Sequence, residues 1–329
     1  MVPDEPWLYF FIKEIMNDLT VAVWMLTYNH EKFIGDAIES VIRQKTNFNF
    51  KIFLSEDFSE DSTRNICIEL AKKYSEKIDL FLPTKNLGIN SKNNISILTY
   101  ERCFDSGAKY IAMLEGDDYW KDENKLQRQV DLLESNSTFG SSYHRSCVVD
   151  ESGKLLKADK RVGYADHKGE DLIKGKGEML TNTIMFRNQL TLPDSFYSVP
   201  NGDTYLWHLL GFMGDCKFQN EIEPAAYRLH GAGVWSGANE KNKIISLCIT
   251  YGVIYDNLKL KHCDTSYLIQ IVQKNVNRYL LNKLSNRQFR EYFYFLNYGR
   301  RIEFLKSFNF LSNHLIFIFS AIGTKIKDN

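Results

Sequence analysis

Cysteine is sparse in this 329-residue chain and poorly placed for cross-linking. The six cysteines, at 67, 103, 147, 216, 248 and 263, stand far apart, with no C-x-x-C pair. That excludes a disulfide framework and a zinc site and fits a reducing, cytoplasmic compartment. Long hydrophobic runs are missing too. A spanning helix needs ~18–20 apolar residues, and the longest candidate, residues 315–322, is far shorter. The N-terminal apolar patch at 7–12 is short and follows acids, so no secretory leader is expected. There is no internal repeat, no low-complexity segment and no net charge, since 41 Lys/Arg balance 41 Asp/Glu. No nucleic-acid partner is expected.

What is present is a core former. Hydrophobic residues make up 44% and aromatics 14%, which excludes a disordered chain. The balanced charge is unevenly spread. Residues 257–329 hold twelve Lys/Arg against four Asp/Glu, which leaves 29 basic and 37 acidic residues in 1–256. An acidic body with a basic tail points to a tail that meets something anionic, such as a membrane surface.

Along the chain, apolar segments alternate between strand and helix periodicity. Residues 7–19 have the spacing of a short amphipathic helix. Residues 20–26 read as a buried strand, broken by Thr27-Tyr-Asn-His30. Residues 33–44 place Ile34, Ala37, Ile38, Val41 and Ile42 on one helical face. A strand at 50–54 runs into an acidic Ser/Thr-rich turn with good N-cap residues, and a helix at 63–74 follows. A strand at 78–82, a turn at Asn86-Leu-Gly88, a helix at 91–104 and a strand at 110–114 complete the series. Beyond them we expect a helix at 120–135, strands at 139–149 and 179–186, and a mobile loop over 150–178. A helix opening near 201, a strand at 225–230 and a helical region from 240 end the chain.

The fold class expected is therefore α/β, with a mostly parallel, Rossmann-like central sheet flanked by helices. The crossover rule places the polar strand ends on one sheet edge, where open α/β sheets bind ligands. The sharpest feature of that edge is Met113-Leu-Glu-Gly-Asp-Asp-Tyr-Trp120, which ends a buried strand in three carboxylates, Glu115, Asp117 and Asp118. Clustered acids repel unless a cation sits among them, and oxygen ligands suit Mg²⁺ or Mn²⁺. The plainer alternative is a solvated acidic turn.

Taken in order, Thr27-Tyr-Asn29, Glu56-Asp57 with Ser59 and Asp61-Ser-Thr63, Asn86-Leu-Gly88 and Glu115-Gly-Asp117-Asp118 resemble the motifs of family 2 glycosyltransferases, which have the GT-A fold. Lys125-Leu-x-x-Gln129 and Tyr227-Arg-x-His230 also fit, so the resemblance spans roughly 19–236. It implies an N-terminal extension over 1–18, a GT-A domain over 19–238 and a basic helical region over 239–329. Met16 then reads as the natural start, with 1–15 an upstream addition. The implied activity is inverting, metal-dependent transfer of a sugar from a UDP-, dTDP- or GDP-linked donor to a glycan or lipid-linked hydroxyl, in bacterial polysaccharide biosynthesis.

The resemblance also implies roles. Asp117 binds Mn²⁺ or Mg²⁺ at the diphosphate, and Asp118 holds the loop or assists the metal. Glu115, following Leu114 and preceding Gly116, stands where the family usually has Asp; it lies near the ribose hydroxyls or the water around the metal. Thr27, Tyr28, Asn29, Glu56, Asp57 and Asn86 line the nucleotide, with Asp57 able to read a base imide or to serve as an N-cap or Asx turn. Asp203 is the candidate base, or else a helix cap. His230 stands near the metal or is a structural histidine. Arg228 pairs with phosphate or braces a carboxylate. The loop at 231–236 closes over the donor, with Trp235 stacking on the sugar or simply packing. In the tail, Phe304, Phe308, Phe310 and Phe317 sit among Arg300, Arg301, Lys306 and Lys325, a pattern for peripheral contact at the inner membrane face, a helical cap or a homodimer. Two other classes compete: a sugar-phosphate nucleotidyltransferase, whose Gly-rich loop is missing after the first strand, and a non-catalytic sugar-nucleotide or lipid-binding protein, which would lack these acids.

Overall fold

β1 (Leu19–Thr27) carries an unbroken apolar run buried on both faces of its pleat, and Val21, Val23 and Met25 share one of those faces with Ile52 and Leu54 of β2 (Asn49–Glu56). Helix α1 (Ile34–Ile42) lays Ile34, Ala37, Ile38 and Val41 onto that face. Each large side chain so buried contributes about 1.5–3 kcal/mol. On the opposite face Trp24 stacks on Tyr100 of α3 (Ile95–Asp105), with ring centroids 5.1 Å apart. The computed structural model describes residues 19–88, 94–160, 163–231, 239–286, 288 and 290. The expected helix at 7–19 lies almost wholly outside the described residues, as do Trp235 and the aromatic tail.

The remaining elements of the first unit are α2 (Thr63–Lys73), β3 (Ile78–Phe81), β4 (Tyr110–Met113), α4 (Lys125–Ser135), β5 (Phe139–Tyr143), β6 (Ser146–Val149), β7 (Leu155–Lys157), α5 (Gly169–Ile173), β8 (Met185–Arg187), α6 (Gly202–Leu210), β9 (Asp215–Phe218) and β10 (Ala225–Arg228). Seven strands form the main sheet in the order β3-β2-β1-β4-β8-β5-β9. The first four run parallel and β8 is antiparallel to both neighbours, so the mostly parallel α/β sheet expected from the sequence is the one observed. A small sheet, β10-β6-β7, stands apart.

Three expectations change. The single strand expected at 139–149 breaks at His144-Arg145, and its halves join different sheets, β5 with β9 and β6 with β10. The segment 150–178 carries β7 and α5 rather than a featureless loop. Acid side chains tie it down: Asp166 Oδ1 accepts from the Phe218 N–H, and Asp215 Oδ1 from that of Gly169. The strand at 179–186 shortens to Met185–Arg187 after a 3₁₀ turn at Thr181–Thr183.

The chain divides into two compact units, Met1–Gly237 and Ala238–Asn329. In the second, α7 (Glu240–Leu260) and α8 (Ser266–Ser285) pack together as a hairpin, with His262 at φ 54 in the turn between them. No helix among the described residues is long and apolar enough to cross a membrane.

Candidate functional site

The site gathers where β1, β2 and β4 end. The acid turn after β4 packs against β1 so closely that only glycine fits between the acids. A Cβ on Gly116 would lie 2.7 Å from the Thr27 Cβ and 2.9 Å from the Leu26 carbonyl, to which the Gly116 N–H donates. Next, Tyr119 exchanges two backbone hydrogen bonds with Ala226 in β10, at 3.2 and 2.9 Å. That bridge brings Arg228 and His230 beside the acids, 110 residues away in sequence.

The acids then take different roles. Asp118 is buried, and both its oxygens are engaged: Oδ1 accepts from the Arg228 N–H at 2.8 Å and Oδ2 from Asn182 Nδ2 at 2.9 Å. Burial and the neighbouring Asp117 and Glu115 push its carboxyl well above the usual range. Of the two roles open to it, holding the loop is the one these bonds describe. Asp117 faces outward: its Oδ2 lies 3.0 Å from His230 Nε2 and 3.8 Å from His30 Nε2. Burial pushes its carboxyl up, but the His230 hydrogen bond and the charges of both imidazoles outweigh that and hold it below its ordinary value. Glu115 is raised to about 7 by burial, with Asp117 and Asp203 adding to the rise against a hydrogen bond from Thr181. Its Oε2 is a buried oxygen with no hydrogen-bond partner among the described residues.

Arg228 is a brace. Its guanidinium donates to Asp36 Oδ2 at 2.9 Å and to the Asp117 carbonyl at 3.2 Å, and lies over the Phe33 and Tyr119 rings. Most residues expected at the nucleotide also tie loops together. Asp57 accepts from the Leu87 and Gly88 N–H groups, and Asn86 Nδ2 donates to the Asp57 carbonyl at 2.7 Å. Burial, with some repulsion from Glu56, raises the Asp57 carboxyl despite those two donors. Glu56 is fully buried, with Oε1 accepting from Ser59 N–H and Oε2 3.4 Å from Arg64. Asn29, at φ 54, donates its N–H to Ser59 Oγ and accepts at Oδ1 from Glu60 N–H. Thr27 is buried beneath the turn, whereas Tyr28 is half-exposed at the rim. Asp203 is exposed in the first turn of α6, past the N-cap Asn201, and its Oδ1 accepts from the Thr204 N–H.

Sequence reasoning missed two side chains. Asn182 is buried and links Asp118 to Ser146, while its carbonyl accepts from Trp120 Nε1 at 2.8 Å. His30 follows the Thr-Tyr-Asn turn, and its Nδ1 lies 3.2 Å from Thr27 Oγ1. Burial lowers the pKa of its imidazole, against the pull of Asp117. The one group of three metal-capable side chains found among the described residues is His30, Asp117 and His230, with one donor atom from each lying within 4.8 Å of the others. Nothing but its place after the turn marks His30 in the sequence.

Three comparisons bear on this site. An uncharacterised protein of Mycobacterium tuberculosis is 28% identical over 218 residues, 66% of this chain and 61% of that protein, so the match spans about three fifths of the relative's length. The Escherichia coli UDP-Glc:alpha-D-GlcNAc-diphosphoundecaprenol beta-1,3-glucosyltransferase WfgD is 28% identical over 194 residues, 58% of this chain and 70% of that one. The crystal structure of S. aureus TarS with UDP-GlcNAc superposes at a TM-score of 0.60 and 14% identity, covering 86% of this chain and 81% of that one, which shows a shared fold. The model of Glycosyl transferase family 2 matches residues 22–190, just over half the chain, including the ends of β1, β2 and β4 and the acid turn but not Asp203, Arg228 or His230. The chain belongs to glycosyl transferase family 2.

Proposed function

We propose that this protein is a metal-dependent, inverting glycosyltransferase. It moves a sugar from a nucleotide-diphosphate donor to a hydroxyl of a glycan or lipid-linked acceptor in bacterial surface-polysaccharide assembly. The observation that carries this reading is the convergence of Asp117 Oδ2 and His230 Nε2, 3.0 Å apart, in the same turn as Glu115, whose buried Oε2 has no hydrogen-bond partner among the described residues. A carboxylate and an imidazole are ordinary ligands of a divalent ion, so the residues fit one. Asp117 and His230 hold Mn²⁺ or Mg²⁺, and Asp118 and Arg228 hold Asp117 in place. When bound, the ion supplies positive charge opposite the diphosphate as the leaving group forms.

The chain's own residues do the rest. Glu115 Oε2 accepts from the donor's ribose hydroxyls. Half-exposed Tyr28 lies against the base, above the turn that Asp57 and Asn86 hold. Asp203 takes the proton from the acceptor hydroxyl. The acceptor oxygen then bonds to the anomeric carbon from the face opposite the diphosphate. The old carbon–oxygen bond breaks, and its electron pair leaves with the diphosphate. One base and no covalent intermediate give inversion. WfgD, named for UDP-Glc and a diphosphoundecaprenol acceptor, supports a sugar-nucleotide donor and a lipid-linked acceptor. The basic, aromatic tail supports peripheral contact with the inner face of the cell membrane.

The test is nucleoside diphosphate release from UDP-, dTDP- and GDP-sugars with Mn²⁺ or with EDTA. Ion-dependent release that is lost in Asp117→Ala supports the reading. Full-rate turnover in EDTA removes the role given to Asp117.

A further inference from the structure

His30 has no part in the chemistry above, yet its Nε2 points at the same carboxylate oxygen as His230, from the opposite end of the domain's sequence. We propose that His30 is a third protein ligand, so that the site is a two-histidine, one-carboxylate cage that selects Mn²⁺ over Mg²⁺. This deepens the metal-dependent reading and rests on it.

The distances fit such a cage. Ligand atoms about 2.1 Å from an ion lie about 3 Å apart when adjacent and about 4.2 Å when opposite. Asp117 Oδ2 is 3.0 Å from His230 Nε2, the adjacent spacing, and 3.8 Å from His30 Nε2, between the two spacings; with all three donor atoms within 4.8 Å of one another, a slight inward movement of the imidazoles closes the cage on an ion. The two rings meet edge to face, at 89° with centroids 5.7 Å apart, so they do not stack.

The tautomer fits as well. Thr27 Oγ1 stands 3.2 Å from His30 Nδ1 and can accept its N–H, which leaves the Nε2 lone pair directed at Asp117. Binding the far ring nitrogen in this way is how proteins orient metal-ligating histidines. The backbone beneath is fixed too: the His30 N–H donates to Thr63 Oγ1 at 2.8 Å, and Asn29 is held from both sides by the turn after β2. Two imidazoles and one carboxylate suit a transition ion, whereas Mg²⁺ prefers an all-oxygen shell.

The test titrates Mn²⁺ and Mg²⁺ into the full-length wild type, His30→Gln and His230→Gln, alone and with UDP, and follows free Mn²⁺ by electron paramagnetic resonance. Pulsed measurement of ¹⁴N couplings counts the imidazoles on the bound ion. We expect two nitrogens in the wild type, one in His30→Gln, and Mn²⁺ affinity lower by about tenfold or more in that variant. Mg²⁺ affinity should change less. One nitrogen in the wild type, or unchanged Mn²⁺ affinity in His30→Gln, overturns the role of His30 and leaves the metal-dependent reading standing. No Mn²⁺ binding by the wild type, with or without UDP, overturns both. The wild-type nitrogen count decides the matter even where His30→Gln does not fold.

Discussion

The Arg228 N–H donates to Asp118 Oδ1 across 2.8 Å, joining residues 110 apart in sequence. Together with Asn182 Nδ2 on the other oxygen, it makes Asp118 the buried anchor of the acid turn. The adjacent carboxylate, Asp117, is thereby left to face the two histidines.

Removing that anchor should be felt in stability. Asp118→Ala leaves the buried Arg228 N–H without its acceptor, at a cost of about 1–3 kcal/mol, and takes one of two acceptors from Asn182 Nδ2, which keeps Ser146 Oγ. For a protein of this size Tm falls by about 2–4 °C per kcal/mol. Scanning fluorimetry should therefore show a drop of several degrees, together with weaker Mn²⁺ binding. A Tm equal to that of the wild type would mean that the two bonds contribute nothing net.

Gly116→Ala tests the packing of the turn on β1. The added methyl meets both side-chain and backbone atoms of the first strand at under 3 Å. Overpacking of this kind costs about 1–3 kcal/mol. The backbone must shift to relieve it, carrying Asp117 out of line. We expect sugar transfer to fall further than Tm does, and equal losses would assign Gly116 to folding alone.

Asp203→Asn separates binding from chemistry. The carboxylate is exposed, and its Oδ1 bond to the Thr204 N–H survives in the amide. Transfer should drop by about 10²–10⁴, the usual worth of a general base, while donor affinity holds. Calorimetry with a sugar nucleotide beside a transfer assay checks both, and retained transfer would move the base elsewhere.

Lys125 offers a pH test away from the site. Its ammonium is fully buried, donates to Gln129 Oε1 at 2.6 Å and lies 3.9 Å over the Trp120 ring. Burial holds its pKa well below the ordinary 10.5. The unfolded chain therefore binds the proton more tightly, and the cost to folding is fully present below the folded-state pKa. It fades as pH rises toward 10.5, so stability from this residue increases with pH. Urea denaturation of wild type and Lys125→Met at about pH 7 and pH 10 should show the difference moving in favour of wild type. A difference that does not change with pH would mean that the lysine binds its proton equally well in the folded and unfolded chains.

Much of this architecture was legible in the chain because its first half is built from local signals. β1, β2, β3 and β4 are apolar runs that end in polar turns, and each begins and ends within two residues of its expected place. The later elements owe their shape to distant partners. Residues 139–149 are apolar enough for one long strand, yet pairing with β9 on one side and β10 on the other breaks it in two. β9 itself is four residues of mixed polarity whose pairing with β5 no local pattern announces. The site divides along the same line. Asp117 and its neighbours are marked by their clustering, whereas His30 meets Asp117 across 87 positions and Asn182 meets Asp118 across 64. Spacing along a chain carries no trace of such meetings.

The two ladder bonds between Tyr119 and Ala226 give the ligand-bearing segments a shared chassis. Asp117 lies two residues before one end of that rung and His230 four residues after the other, so a strain that tilts the small sheet carries both donors in the same direction. Their spacing is thereby insulated from distortions that would pull apart two independently mounted loops. Changes at the sheet's outer strand should alter how the site is presented to a substrate before they alter its grip on an ion.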